Sequence, residues 1–139
     1  MGISKIHKWE RAVTMILNVI GWDLEWTGGK YESFDARGYT PKNKSCIIEY
    51  KFRDKYYEEK LLEVKKYKAL METPDVEVRL YFVNDPKGNY MYWLDNLQMP
   101  NAIKLYCPDT SFWTKKRLKK EVYLLKENDA SIINLNNTY

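Results

Sequence analysis

Ser45-Cys46-Ile47-Ile48-Glu49-Tyr50-Lys51-Phe52-Arg53 is the stretch on which the reading of this 139-residue chain turns. It is short, β-branched and aromatic, the composition that suits a pleated, buried surface rather than a helix. A strand alternates its side chains, so Cys46, Ile48, Tyr50 and Phe52 share one face and Ile47, Glu49, Lys51 and Arg53 share the other. An acid and a base therefore leave the same face of an apolar strand, about 7 Å apart at the backbone. Just upstream, Pro41 and Asn43 punctuate a loop over residues 39–44, and a strand over Tyr31 to Tyr39 carries Phe34-Asp35. Antiparallel pairing across that loop sets Asp35 beside Glu49.

Working outward, Ile6, Trp9, Val13, Ile16, Leu17 and Ile20 trace one face of a helix from Ser4 to Ile20. Ser4 is its expected N-cap and Gly21 its stop. Glu10 falls at the flank of that stripe, roughly 70° from its centre at about 100° per residue. The run Trp22 to Thr27 reads as a short strand, and Gly28-Gly29 as a tight turn into the strand that holds Asp35. Beyond the central strand, a helix is expected from Lys55 to Glu72, with Tyr57, Leu61, Val64, Tyr67 and Met71 as its stripe and Pro74 closing it. Residues 76–84 form a buried strand, Asp85 to Gly88 a turn, 89–97 a returning strand and 102–107 one more. Trp113 to Asn128 is read as a basic helix, with Lys120 to Leu125 as an alternative extension of the sheet. Three consecutive strands pair as a meander, and a helix between strands implies a parallel crossover. The class is α/β: one domain over residues 1–139, with a mixed central sheet flanked by helices.

Composition narrows the function. Hydrophobic residues make up 45% of the chain, enough for a core. The formal charge of +4 is unevenly spread, with Lys115, Lys116, Arg117, Lys119 and Lys120 clustered late and Glu10, Asp23, Glu25, Glu32 and Asp35 early. A basic surface around an acidic pocket suits a metal-using enzyme acting on phosphates, although charge alone equally fits a solvated face. Cys46 and Cys107 have no metal-ligand spacing and read as free thiols in a reducing cytoplasm. His7 is the single histidine, which excludes a His-metal nuclease, and Gly28-Gly29-Lys30 lacks the spacing of a phosphate-binding loop. No signal peptide and no membrane-length apolar run is present, so the chain is expected in the cytoplasm, that of a bacterial host if phage-encoded.

Hydrolysis of a phosphodiester calls for a divalent cation that offsets developing charge and acidifies a bound water. Mg²⁺ takes oxygen ligands, typically one or two carboxylates with waters, which Asp35 and Glu49 could supply. Lys51 would then orient the attacking water or stabilise the phosphate's charge. These residues, Phe34-Asp35, a thirteen-residue gap and Glu49-Tyr50-Lys51, resemble the motif of the PD-(D/E)xK nuclease superfamily. The order of elements is similar to that family's restriction-endonuclease-like αβββαβ core, over about Trp9 to Asn84. The family's proline is replaced by Phe34. The resemblance implies that Asp35 and Glu49 bind the metal, joined by the peptide carbonyl of Tyr50, and that Lys51 is the catalytic lysine. It also implies a role for Glu10 on the first helix and for a basic residue on the second, either Lys60 or Lys66. Arg37, Arg53 and Lys55 are candidates for holding DNA phosphates.

The resemblance implies a Mg²⁺-dependent DNA endonuclease, with Mn²⁺ substituting, of a small phage or mobile-element type that is structure-selective and junction-resolvase-like. A homodimer is compatible with it. Against this stand a nuclease-fold module that binds nucleic acid or protein without cutting, and a structural or inhibitory phage protein in which Glu49-Tyr50-Lys51 is coincidental, its charges idle in cross-strand salt bridges. Tyr90, Tyr92 and Trp93 read as core or dimer surface before base-stacking platform.

Overall fold

The computed structural model describes residues 2–28, 33–108 and 117–133, so Gly29, the start of the strand expected from Tyr31 and residues 113–116 lie outside the described set. Helix α1 (Ile3–Val19) buries Glu10, Val13, Thr14 and Leu17, spaced by three and four residues as one helical face requires. It starts directly after Gly2, so Ser4 lies inside the helix and caps nothing. Met15, Val19 and Ile20 are exposed. The contact face is therefore rotated from the expected stripe, and Glu10 moves from its flank into the interface.

β1 (Asp23–Trp26), β2 (Ala36–Tyr39) and β3 (Ser45–Phe52) form the antiparallel meander expected from their sequence. Leu24 of β1 faces Gly38 of β2, which sits at φ +154°, and a Cβ there would run into the Asp23 carbonyl oxygen. Only glycine fits that crossing.

The helix expected over Lys55 to Glu72 is instead two elements, strand β4 (Glu59–Glu63) and helix α2 (Val64–Met71). Lys60 and Leu62 are buried and their neighbours are not, a period of two rather than 3.6. Glu, Lys and Leu all favour helix locally, but by less than about 0.7 kcal/mol per residue. Burying a Leu side chain contributes roughly 1.5–3 kcal/mol, so the tertiary pairing wins at Leu62. Its partner is β8, introduced by β5 (Val78–Asp85), β6 (Gly88–Trp93) and β7 (Ile103–Pro108) along the chain. β8 (Arg117–Lys126) replaces the expected basic helix and pairs with β4 and β7. It extends a second sheet, ordered β4-β8-β7, and not the central one.

The central sheet runs β1-β2-β3-β5-β6-β9, with β3 and β5 parallel, β5 and β6 antiparallel, and the two-residue β9 (Ser131–Ile132) at one edge. It is a mixed sheet. On one face Val13 and Leu17 of α1 meet Leu24, Ile48, Leu80 and Met91. On the other, Leu62, Leu70 of α2 and Leu125 of β8 pack on Ile47, Tyr81 and Tyr92. Tyr92 is wholly buried and donates its hydroxyl to the Lys126 carbonyl, so it belongs to the core and offers no stacking platform. Cys46 is a buried free thiol, with its pKa pushed up to about 12 by that burial.

Candidate active site

The site lies just ahead of the start of β2. Register pairing between β2 and β3 ends at Ala36 and Ile48. One residue further, the Asp35 N–H still donates to the Ile48 carbonyl at 2.9 Å, while its carboxylate Oδ2 accepts the Tyr50 N–H at 2.9 Å. The side chain of Asp35 thus takes the place of the next strand residue. Within a strand the N–H and C=O of one residue face the same neighbour, so the Tyr50 carbonyl is turned toward the same gap as Asp35.

Glu49 leaves β3 on the face covered by α2, where its Oε1 accepts a hydrogen bond from Lys66 Nζ at 3.2 Å. Asp35 and Glu49 lie close enough for the charge of one to act on the ionisation of the other. Burial, then the Asp35 charge, pushes the Glu49 carboxyl up to about 7 against the pull of Lys66. Burial also raises Asp35, although the Tyr50 N–H and the Lys66 ammonium oppose it. For Lys66, burial works against the charged form, but Glu49, Glu63 and Asp35 outweigh it and the ammonium sits above its ordinary range. Lys51 goes the other way: burial first, then Arg53 and Lys66, holds it below the ordinary lysine range.

Glu10 approaches from the opposite face of the sheet. Its Oε1 accepts the indole Nε1–H of Trp26 at 3.0 Å, and that ring is flanked by His7 and Arg11 at 5.3 and 5.0 Å. Burial raises the Glu10 carboxyl, opposed by the Trp26 hydrogen bond and assisted by Asp35. A 2.7 Å hydrogen bond between the Thr14 and Tyr50 hydroxyls ties α1 to β3 one helical turn further on. Nothing in the sequence pattern pointed to Trp26. Its role depends on β1 crossing α1, a tertiary fact.

The other expected residues separate. Lys66 reaches the carboxylates, whereas Lys60 does not and is withdrawn as a phosphate ligand. Its ammonium, with only 2% of the side chain exposed, is held by Asp85 at 2.7 Å and Glu127 at 3.0 Å and lies against the rings of Tyr56 and Tyr90. It also sits on β4, so it was never a residue of the second helix. Arg37 leans across the meander to Glu25 at 3.6 Å and does not line the cleft that holds Asp35 and Glu49. Arg53 and Lys55 do not line it, and neither does Lys51, although Lys51 leaves β3 on the same face as Glu49.

That cleft is open and has a volume of about 1030 Å³. Asp35 and Glu49 lie at one wall, with Lys65, Lys66 and Lys68 of α2 beside them. Lys104, Lys119, Lys120 and Glu121 of the small sheet also line the cleft. A buried carboxylate, Glu49, and a half-buried one, Asp35, thus stand together with a half-exposed lysine as partial compensation, and a backbone carbonyl faces the same gap. This all-oxygen donor set is the kind a hard divalent cation takes. Among the described residues no three of His, Cys, Asp and Glu form a ready metal cluster, so Glu10 does not complete a three-carboxylate set.

The architecture is a nuclease-like α/β fold, a mixed central sheet with helices packed on it. It is similar to that of a Holliday junction resolvase from Archaeoglobus fulgidus, with a TM-score of 0.57 and 11% sequence identity over 91% of this chain and 89% of that one. At that identity the likeness concerns the fold. No protein-family model matches the sequence, and no curated protein matches it. Among the described residues no helix is long and apolar enough to cross a membrane.

Proposed function

We propose that this chain is a Mg²⁺-dependent DNA endonuclease, with Mn²⁺ able to substitute, acting on branched DNA in the manner of a junction resolvase. The observation that carries the reading is the meeting of Asp35 and Glu49 beside the Tyr50 peptide, at the mouth of a lysine-walled cleft on a resolvase-like fold. Asp35, Glu49 and the Tyr50 carbonyl would hold the cation, which on binding offsets phosphate charge and acidifies a water. Lys51, which burial holds below the ordinary lysine range, would orient the attacking water or stabilise the phosphate's charge. Lys66 exchanges its contact with Glu49 for a phosphate oxygen. Glu10, held by Trp26, acts from the α1 side as a positioning residue. Resolution of a four-way junction takes two incisions and the described residues carry one such constellation, so a homodimer is the expected acting unit.

The Lys66–Glu49 ion pair favours a second reading, in which the ammonium stands in for a cation and the module binds nucleic acid without cutting. Cleavage of plasmid, single strands, flaps and four-way junctions in Mg²⁺ or Mn²⁺ separates the two. Metal-dependent cutting that falls at least about 100-fold in Glu49→Ala and Lys51→Ala, with folding intact, is the expected result. Cutting that survives both substitutions sinks the nuclease reading. No cutting, together with no metal-dependent thermal shift that Asp35→Asn abolishes, selects the inert module.

A further inference from the structure

The small sheet has no part in the constellation above, yet it lines the same cleft. Strands β7 and β8 pair so that Lys104 faces Glu121 and Tyr106 faces Lys119. Residues directly opposite in an antiparallel pair share a face, so these four project together. Along β8 the same face continues inward as Tyr123 and Leu125, which pack into the core with Leu62. One face of the hairpin is thus anchored at its base and charged at its outer end. Lys104, Lys119 and Lys120 line the cleft that Asp35 and Glu49 line.

The charge count gives this wall a direction. Six lysines border the cleft against four carboxylates, Asp35, Glu49, Glu63 and Glu121. Lys120 is spent on Glu63 at 2.7 Å and Lys66 on Glu49 at 3.2 Å. Lys104 and Lys119 have no carboxylate within ion-pair distance among the described residues, and both are exposed. Lys119 leans over the Tyr106 ring at 5.9 Å, a contact that leaves its ammonium in water. Lys60 is held by two carboxylates, whereas these two ammonium groups remain open to a ligand at the cleft.

We infer that the β7–β8 hairpin is a phosphate-binding wall, with Lys104 and Lys119 holding the DNA backbone that flanks the phosphate at Asp35 and Glu49. The inference rests on the nuclease-fold reading for the identity of its ligand, though not on cutting. Contacts of this kind are sequence-independent and release counterions, so each contributes about 0.9 to the slope of log affinity against log salt.

The test is binding of a labelled DNA duplex and a four-way junction by anisotropy, in EDTA and at several salt concentrations, where nothing is cut. The double variant Lys104→Gln/Lys119→Gln is compared with wild type and with Lys42→Gln/Lys44→Gln, which removes equal charge from the β2–β3 loop. The expected result is a loss of about tenfold or more in affinity and a slope shallower by about 1.8 in the first variant alone. An unchanged slope, an equal loss in the loop control, or a wild type that binds no DNA each overturns it. Failure to cut, with the lysine dependence intact, overturns the nuclease reading and leaves the wall standing. Normal cutting with an unchanged slope does the reverse.

Discussion

At the residue scale, two lysines of similar sequence context have opposite fates. Lys60 is sealed under Tyr56 and Tyr90 with Asp85 and Glu127, while Lys66 stands half-exposed at the carboxylates. A buried ammonium that satisfies two carboxylates is structural, because removing it strands a buried Asp85 charge. Lys60→Met is therefore expected to cost about 3–5 kcal/mol by denaturant unfolding, whereas Lys66→Met changes stability little. The same cluster sets a pH dependence. Hydrogen bonds from Tyr56 and Lys60 hold the Glu127 carboxyl below its ordinary value of 4.5. The unfolded chain then takes up that proton first as pH falls. The contribution of Glu127 is fully present above pH 4.5 and is lost as pH falls through its lowered folded value. Melting temperatures between pH 6 and 3 should show the gap between wild type and Glu127→Gln closing with acid; a constant gap would contradict the assignment.

At the element scale, the sheet edge is set by glycine and the site by a strand that starts late. Gly38 lies at positive φ against the β1 backbone, so Gly38→Ala adds a Cβ where the Asp23 carbonyl stands and demands a conformation alanine resists. The expected loss exceeds about 1 kcal/mol, read as a lower melting temperature, with the α1-side core loosened as β1 shifts. The start of β2 only at Ala36 has the opposite value: it frees the Tyr50 peptide for Asp35. A longer β2 would close that gap with an ordinary ladder bond.

At the scale of the whole molecule, β3 and β5 lie in the middle of the central sheet, covered by α1 on one face and by α2 with the small sheet on the other. Their amides can exchange only when both layers open, so Ile48 and Phe82 are expected among the slowest, near the global unfolding limit. The β7 edge should exchange orders of magnitude faster, since it has a strand on one side only. Hydrogen exchange by mass spectrometry or NMR checks this, and equal protection of β7 and β3 would contradict it. That difference also leaves the proposed phosphate wall on the more yielding part of the molecule, in the same cleft as a rigid carboxylate pair.

The sequence by itself determined the meander, the motif strand with its two faces and the pairing of Asp35 with Glu49, because alternation and short turns are local properties. The family resemblance added that a lysine from the next segment belongs near them, without choosing between Lys60 and Lys66. Tertiary structure decided the rest. Leu62 joined β8, residues far away along the chain, so the burial that made Glu59–Glu63 a strand was invisible to local propensity. The same long-range pairing made β8 a strand, buried Lys60, and carried Lys104 and Lys119 across to the carboxylates. Glu10 entered the interface because the whole α1 helix is rotated, and Trp26 found it only where β1 crosses that helix. Periodicity fixes which residues share a face; only packing fixes what that face meets.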